Sequence, residues 1–120
     1  MKILVVEDEA KTGEYLCKGL TEAGFVVDLT DNGLNGYHLA MTAEYDLIVL
    51  DIMLPDISGV DLCLQIRNKV AAPILFMSCK SEEIDKIIAL SVGGDDYITK
   101  PFNSGELIAR IKAHLRRERR

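Results

Sequence analysis

Five times along this chain a short apolar run of strand length gives way to a stretch whose apolar residues recur at helical spacing. That alternation limits the fold more than any other feature. Lys2–Val6 is a continuous apolar run, as in a strand covered on both faces. Leu16, Leu20 and Ala23 then recur at helical spacing, and Gly24 stops that helix. Phe25–Leu29 reads as a second strand, and Asp31-Asn32-Gly33 as a turn or cap before a helix through Tyr37, Ala40 and Met41. Asp46–Asp51 is the most strand-like stretch, followed by a helical stripe of Gly59, Leu62, Cys63 and Ile66. Pro73 opens a fourth strand, where its missing N–H does little harm. Ile84, Ile87 and Ile88 mark a fourth helix, ended by Gly93-Gly94. Asp95–Ile98 is a short fifth strand, and Leu107, Ile108, Ile111 and Leu115 face inward from a last helix.

Strands starting near residues 2, 25, 46, 73 and 95, each followed by a helix, imply an α/β fold. Right-handed crossovers leave few topologies. The simplest is a five-stranded parallel sheet in the order 2-1-3-4-5, a flavodoxin-like (βα)5 arrangement with helices on both faces. The 120 residues suit one domain, 1–120, with no internal linker. Arg116-Arg117-Glu118-Arg119-Arg120 is a basic tail. It either complements the dipole of the last helix or, as we expect of residues 116–120, starts a linker to a further domain.

Composition excludes several roles. Lys plus Arg number 14 and Asp plus Glu 19, a net charge of −5, so a phosphate backbone would repel the domain and direct DNA binding by it is not expected. No apolar run approaches a membrane span. Glu7 and Asp8 cut short the N-terminal apolar run, which rules it out as a signal peptide. Cys17, Cys63 and Cys79, even with His38 and His114, match no zinc spacing. They read as reduced, mostly buried thiols of a cytoplasmic protein.

The chemistry lies in five polar residues. In such a sheet, ligands bind beyond the C-terminal ends of the strands. Glu7 and Asp8 follow the first strand and Asp51 closes the third, its predicted neighbour, so the three carboxylates converge. Three close anions need a cation, and an all-oxygen donor set selects a hard one, Mg2+ or Mn2+. Taken singly, each acid could instead be a cap or turn residue. Ser78 ends the fourth strand and Lys100 follows the fifth, just before Pro101. A point charge and a hydroxyl donor suit a phosphoryl group, although alone each has an ordinary structural reading as a solvated lysine or a cap.

Three pieces carry a resemblance over the full length: Val5-Val6-Glu7-Asp8-Glu9; Asp51-Ile52-Met53-Leu54-Pro55-Asp56 with Gly59; and Gly93-Gly94-Asp95-Asp96-Tyr97-Ile98-Thr99-Lys100-Pro101-Phe102. Together they resemble the receiver domain of bacterial two-component response regulators. The resemblance implies that Asp51 accepts a phosphoryl group from a phosphohistidine on a sensor histidine kinase. Glu7, Asp8, Asp51 and the Met53 carbonyl would hold Mg2+. Lys100 and Ser78 would contact the phosphoryl group, Tyr97 would turn inward behind Ser78, and the Lys100–Pro101 bond would be cis. Asp-Asp-Tyr before Ile-Thr-Lys-Pro-Phe is similar to the winged-helix (OmpR/PhoB-like) transcription-factor subfamily. That implies a homodimer, formed on phosphorylation through the fourth helix, fifth strand and fifth helix, and a C-terminal DNA-binding domain in the longer protein. The implied intersubunit pairs are Lys86 with Glu106, Asp96 with Arg110, and Asp95 with Arg117. Glu106 and Arg110 are also spaced for an ordinary i,i+4 pair.

The stretch from Lys11 through Met41 resembles copper- and silver-responsive regulators, whereas the part from about Ser78 onward is more like Gram-positive ones. The first helix faces the kinase in this family, so Lys11, Thr12 and Tyr15 are expected to help choose it. Cys79 and Gly94 each stand where relatives commonly carry Ala, and Gly94 is expected to loosen the approach to the fifth strand. Met53 and Lys80 flank the path of attacking water, where the family tunes dephosphorylation. Three rivals fit less well. A phosphatase of the haloacid-dehalogenase type needs an Asp where Met53 stands. A flavin carrier needs a phosphate loop where Glu7-Asp8-Glu9 stands. A degenerate receiver that is never phosphorylated would not need all five site residues.

Overall fold

The computed structural model describes residues 1–79 and 82–118, so Lys80, Ser81, Arg119 and Arg120 lie outside the described residues. The elements alternate from end to end: β1 (Lys2–Val6), α1 (Ala10–Glu22), β2 (Val26–Thr30), α2 (Gly33–Thr42), β3 (Leu47–Asp51), α3 (Gly59–Ile66), β4 (Ile74–Ser78), α4 (Glu83–Ser91), β5 (Asp96–Thr99) and α5 (Ser104–Glu118). The sheet is parallel throughout in the order β2-β1-β3-β4-β5. Every strand starts within a residue of the position read from the apolar runs.

The burial explains why those runs were legible. β3 and β4 are buried along their whole length, as is β1 after Lys2. A strand covered on both faces has no polar face to alternate with, so it reads as a continuous run. Successive side chains enter opposite layers. Ile3, Val5, Val49, Leu75 and Met77 pack against Leu16 and Leu20 of α1 and Leu107, Ile111 and Leu115 of α5. Leu4, Val6, Ile48, Leu50 and Phe76 pack against Ala40 of α2, Leu62 and Ile66 of α3 and Ala89 of α4.

Local chemistry sets the helix ends. Asn32 caps α2 by accepting from the Asn35 amide at 2.8 Å, and Ser58 caps α3 by accepting from Val60 at 3.1 Å. Gly24 and Gly93, at φ 96° and 118°, take the left-handed turns that follow α1 and α4. Residues 116–118 continue α5, which puts Arg116 and Arg117 in its last turn.

Two expectations need correction. Cys63 is buried, but Cys17 is half-buried and Cys79 is exposed. Cys79 lies one residue past β4, beyond the helices that cover the strand. Gly94 does not loosen the approach to β5. A Cβ there would lie 2.6 Å from the Phe76 ring and 2.8 Å from the Ala89 carbonyl, so the ring already fills the space a methyl would need.

Candidate functional site

The C-terminal ends of β1, β3, β4 and β5 lie side by side and build one polar pocket. β1 delivers Glu7 and Asp8, and β3 ends on Asp51. Glu7 and Asp51 are buried while Asp8 is exposed. One oxygen from each of the three lies within 4.8 Å of the others, which is the predicted convergence. Lys100 projects from just beyond β5, and its Nζ bonds both Asp51 Oδ2, at 2.7 Å, and Glu7 Oε1. The lysine backbone is tied to β4, since its N–H donates to the Ser78 carbonyl at 2.8 Å. The Lys100–Pro101 bond is cis.

This crowding shows in the ionisation. Burial, with Asp51 close by, raises the Glu7 carboxyl to about 7 against the opposing pull of Lys100. Burial acts to lower the Lys100 ammonium, but Asp51 and Glu7 outweigh it and hold the group above its ordinary value. The buried pair of carboxylates thus keeps one full positive charge against it.

The loop after β3 wraps the phosphoacceptor candidate. The Met53 amide donates to Asp51 Oδ1 at 2.9 Å, while the Met53 side chain is exposed. Gly59 N–H donates to the Ile52 carbonyl at 2.7 Å. A Cβ on Gly59 would stand 2.1 Å from the Asp51 carbonyl, so no side chain fits where α3 starts. Ser78 is fully buried at the end of β4, and Tyr97 is buried beside it. Burial raises the Tyr97 phenol, and its hydrogen bond with Ser78 works the other way. The tyrosine therefore faces inward.

Beside the pocket is a hollow of about 420 Å3, open to solvent, between α1 and the loop after β5. Lys11, Thr12 and Tyr15 line one wall, with Cys79 and Lys100 on the others.

Asp95, Asp96, Glu106 and Arg110 of the predicted pairing face engage partners within the chain. Arg110 donates to both oxygens of Asp96, at 2.9 and 3.2 Å, and pairs with Glu106 at 3.4 Å. His114 Nε2 lies 3.0 Å from Asp96 Oδ2. Burial raises the Asp96 carboxyl, but hydrogen bonds from His114, the Tyr97 amide and Arg110 outweigh it and hold the group below its ordinary value. Asp95 accepts from Arg67 at 3.1 Å and from the Ile74 amide at 2.8 Å. Arg67 also donates to the carbonyls of Gly93, Val70 and Ala72. Lys86 is half-buried on α4 and Arg117 is exposed on α5. Ile84, Ile87, Ile88 and Leu90 leave large apolar side chains exposed on α4. Sequence reasoning missed Arg67 and His114 as partners of these acids. Neither lies within ten residues of its partner, and no local pattern signals such a contact.

The all-oxygen donor set, two carboxylates buried and one open to solvent, suits a hard divalent cation.

The family model for the response regulator receiver domain matches residues 3–112. The chain is 58% identical over 118 residues to the transcriptional regulatory protein CusR of Escherichia coli K12, covering 98% of this chain and 52% of that protein. It is 57% identical to the probable transcriptional regulatory protein SilR of Salmonella typhimurium over the same shares. The chain spans about half the length of these curated relatives. A two-component response regulator from Clostridium difficile has a crystal structure that superposes with a TM-score of 0.95 at 38% identity, over 98% of both chains. No described helix is long and apolar enough to cross a membrane.

Proposed function

The chain belongs to the response regulator receiver domain family, and from that premise we propose that it is a phosphorylation-controlled switch in a two-component pathway. Asp51 is the phosphoacceptor. The observation that carries this reading is the buried Asp51 carboxylate, with one oxygen on the Lys100 ammonium and the other on the Met53 amide. One Asp51 oxygen attacks the phosphorus of a phosphohistidine on a sensor kinase. The new O–P bond forms as the P–N bond breaks, and the imidazole leaves with the electron pair. Little covalent work falls to the protein, so catalysis is placement and charge.

Glu7, Asp8, Asp51 and the Met53 carbonyl would hold Mg2+, which when bound supplies positive charge opposite the transferring group. Lys100, held by Asp51 and Glu7, contributes a second positive charge. The Ser78 hydroxyl donates to a phosphoryl oxygen, and the inward Tyr97 closes the space behind it. The acyl phosphate favours the packing of α4, β5 and α5 in which both Ser78 and Lys100 reach it, which is a shift between populations. That face, with Lys86, Asp95, Asp96, Glu106, Arg110 and Arg117, forms a homodimer in the phosphorylated state. DNA binding belongs to a C-terminal domain of the longer regulator, reached through a linker that follows α5, and the protein works in the cytoplasm. The hollow lined by Lys11, Thr12 and Tyr15 supports an approach of the kinase along α1.

Intact mass after incubation with Mg2+ and a small acyl phosphate tests the reading. The parent gains one phosphoryl group, and Asp51→Asn gains none. A parent left unmodified by both the acyl phosphate and a partner kinase would overturn it in favour of a domain that only binds.

A further inference from the structure

Asp56 lies in the loop between β3 and α3, three residues beyond Met53, and it is exposed. Its side chain nevertheless reaches across to another element. Oδ1 accepts from the Gly33 amide and Oδ2 from the Leu34 amide, each at 2.8 Å. These are the first two residues of α2. One carboxylate therefore grips the start of a helix with both oxygens, where the unpaired N–H groups and the helix dipole favour an anion. Oδ1 also accepts from the Ile57 amide at 3.0 Å, which stiffens the loop itself.

A second contact holds the same junction. A Cβ on Gly33 would lie 2.1 Å from Ile57 Cγ2, so the isoleucine methyl occupies the place of a side chain at the first residue of α2. The loop is thus fixed at both ends. Met53 N–H is on Asp51 at one end, and Asp56 and Ile57 are on α2 at the other. Only Leu54 and Pro55 separate Met53 from Asp56, and the proline ring locks its own φ, so few torsions remain to absorb a displacement of Asp56 before it reaches Met53.

We propose that Asp56 is a positioning residue for the cation site: by clasping the β3–α3 loop to the start of α2, it fixes where the Met53 carbonyl points. This rests on the metal reading given above. Groups that orient metal ligands from one layer out commonly change affinity by about tenfold or more, and a carbonyl on a loop depends on such support more than a side chain on a strand does.

The test separates the clasp from plain helix capping. Asn32 caps the same helix through the Asn35 amide, and its side-chain hydrogen bonds go to Asn35 and Asp31, not to the loop. MgCl2 is titrated into the parent, Asp56→Ala, Asp56→Asn and Asn32→Ala, with calorimetry for affinity and the Met53 and Asp51 amide resonances for geometry. Asp56→Ala is expected to weaken Mg2+ binding about tenfold and to shift the Met53 resonance before any Mg2+ is added. Asp56→Asn keeps one acceptor and falls between the two. Asn32→Ala is expected to lower the melting temperature but bind Mg2+ like the parent. Equal Mg2+ affinity in Asp56→Ala and parent would show that Asp56 only caps a helix. Equal weakening in Asp56→Ala and Asn32→Ala would assign the effect to α2 and overturn the clasp as well. A parent that binds no Mg2+ removes the underlying metal reading and this proposal with it.

Discussion

Gly94→Ala puts a single methyl group into the junction between α4 and β5. Gly94 is not among the glycines with positive φ, so backbone conformation does not forbid alanine. Space does. The new Cβ would lie 2.6 Å from both Cδ2 and Cε2 of Phe76, and 2.8 Å from the Ala89 carbonyl oxygen. Carbon atoms pack best at roughly 3.5–4.0 Å, so the ring must withdraw by about 1 Å. Phe76 is fully buried in β4 and has no solvent to move into. Overpacking of this kind costs about 1–3 kcal/mol. Alanine recovers about 0.4–1 kcal/mol by restricting the unfolded chain. The net expectation is a loss of about 1–2 kcal/mol. Phe76→Leu alone opens a cavity and costs a similar amount, about 1–2 kcal/mol. Combined, the smaller side chain makes room for the methyl and the methyl fills part of the cavity. The double variant should therefore be more stable than the sum of the singles by about 1 kcal/mol, the Ala89 carbonyl limiting the recovery. Urea unfolding of the four proteins measures the cycle. Singles that add to within about 0.3 kcal/mol, or a Gly94→Ala protein as stable as the parent, would refute the argument that this glycine and this phenylalanine are sized to one another.

Lys100→Ala removes the ammonium that faces Glu7 and Asp51. Thermal melts in chelator should show a loss of about 3 kcal/mol, and Mg2+ should restore more stability to the variant than to the parent; an equal Mg2+ response in both would count against it. Asp96 has a folded-state pKa below its ordinary value, so it stabilises the fold above about pH 4 and loses that contribution as pH falls through the folded-state pKa. Urea unfolding should then find Asp96→Asn less stable than the parent at pH 6 and the two converging in acid, whereas a constant gap would exclude the linkage. Alkylation under native conditions, read by mass spectrometry, should label Cys79 first, Cys17 more slowly and Cys63 only on unfolding; early labelling of Cys63 would contradict its burial. Arg67→Ala strands the Gly93, Val70 and Ala72 carbonyls and leaves Asp95 to the Ile74 amide and solvent, which should cost about 2–4 kcal/mol in urea, a loss under about 1 kcal/mol showing that water replaces the guanidinium.

What the sequence made legible followed from periodicity and from position along strands. β1, β3 and β4 stood out because burial on both faces leaves no polar alternation. Glu7, Asp8 and Asp51 can be brought together from the strand pattern alone, because parallel neighbours align their C-terminal ends. Side chains that reach between elements were not legible. Asp56 falls inside a motif, yet its hold on Gly33 and Leu34 spans more than twenty residues. Arg67 stands just past the end of α3 and His114 is buried on α5, and the sequence around neither signals an acidic partner. The exposure of Cys79 depends on where the covering helices stop, which apolar spacing does not reveal. The site was readable because strand ends are fixed by the sheet, and its supports were not because long side chains choose partners in three dimensions.

Asp96 already has Arg110 and His114 as partners within its own chain. If the α4-β5-α5 face pairs as proposed, an intersubunit Asp96–Arg110 bridge replaces an intrasubunit one. Asp95 and Glu106 likewise already hold Arg67 and Arg110 within the chain, so each acid of the face exchanges one cation for another and association is an exchange of partners. Its electrostatic contribution is close to balanced, so added salt, which weakens both sides alike, should shift the monomer–dimer equilibrium little. The driving force falls instead to the exposed Ile84, Ile87 and Ile88 of α4, and association should carry the negative heat-capacity change of apolar burial. The acids and arginines of that face would decide which partner is accepted and how the two copies align, while the isoleucines would decide how tightly they hold.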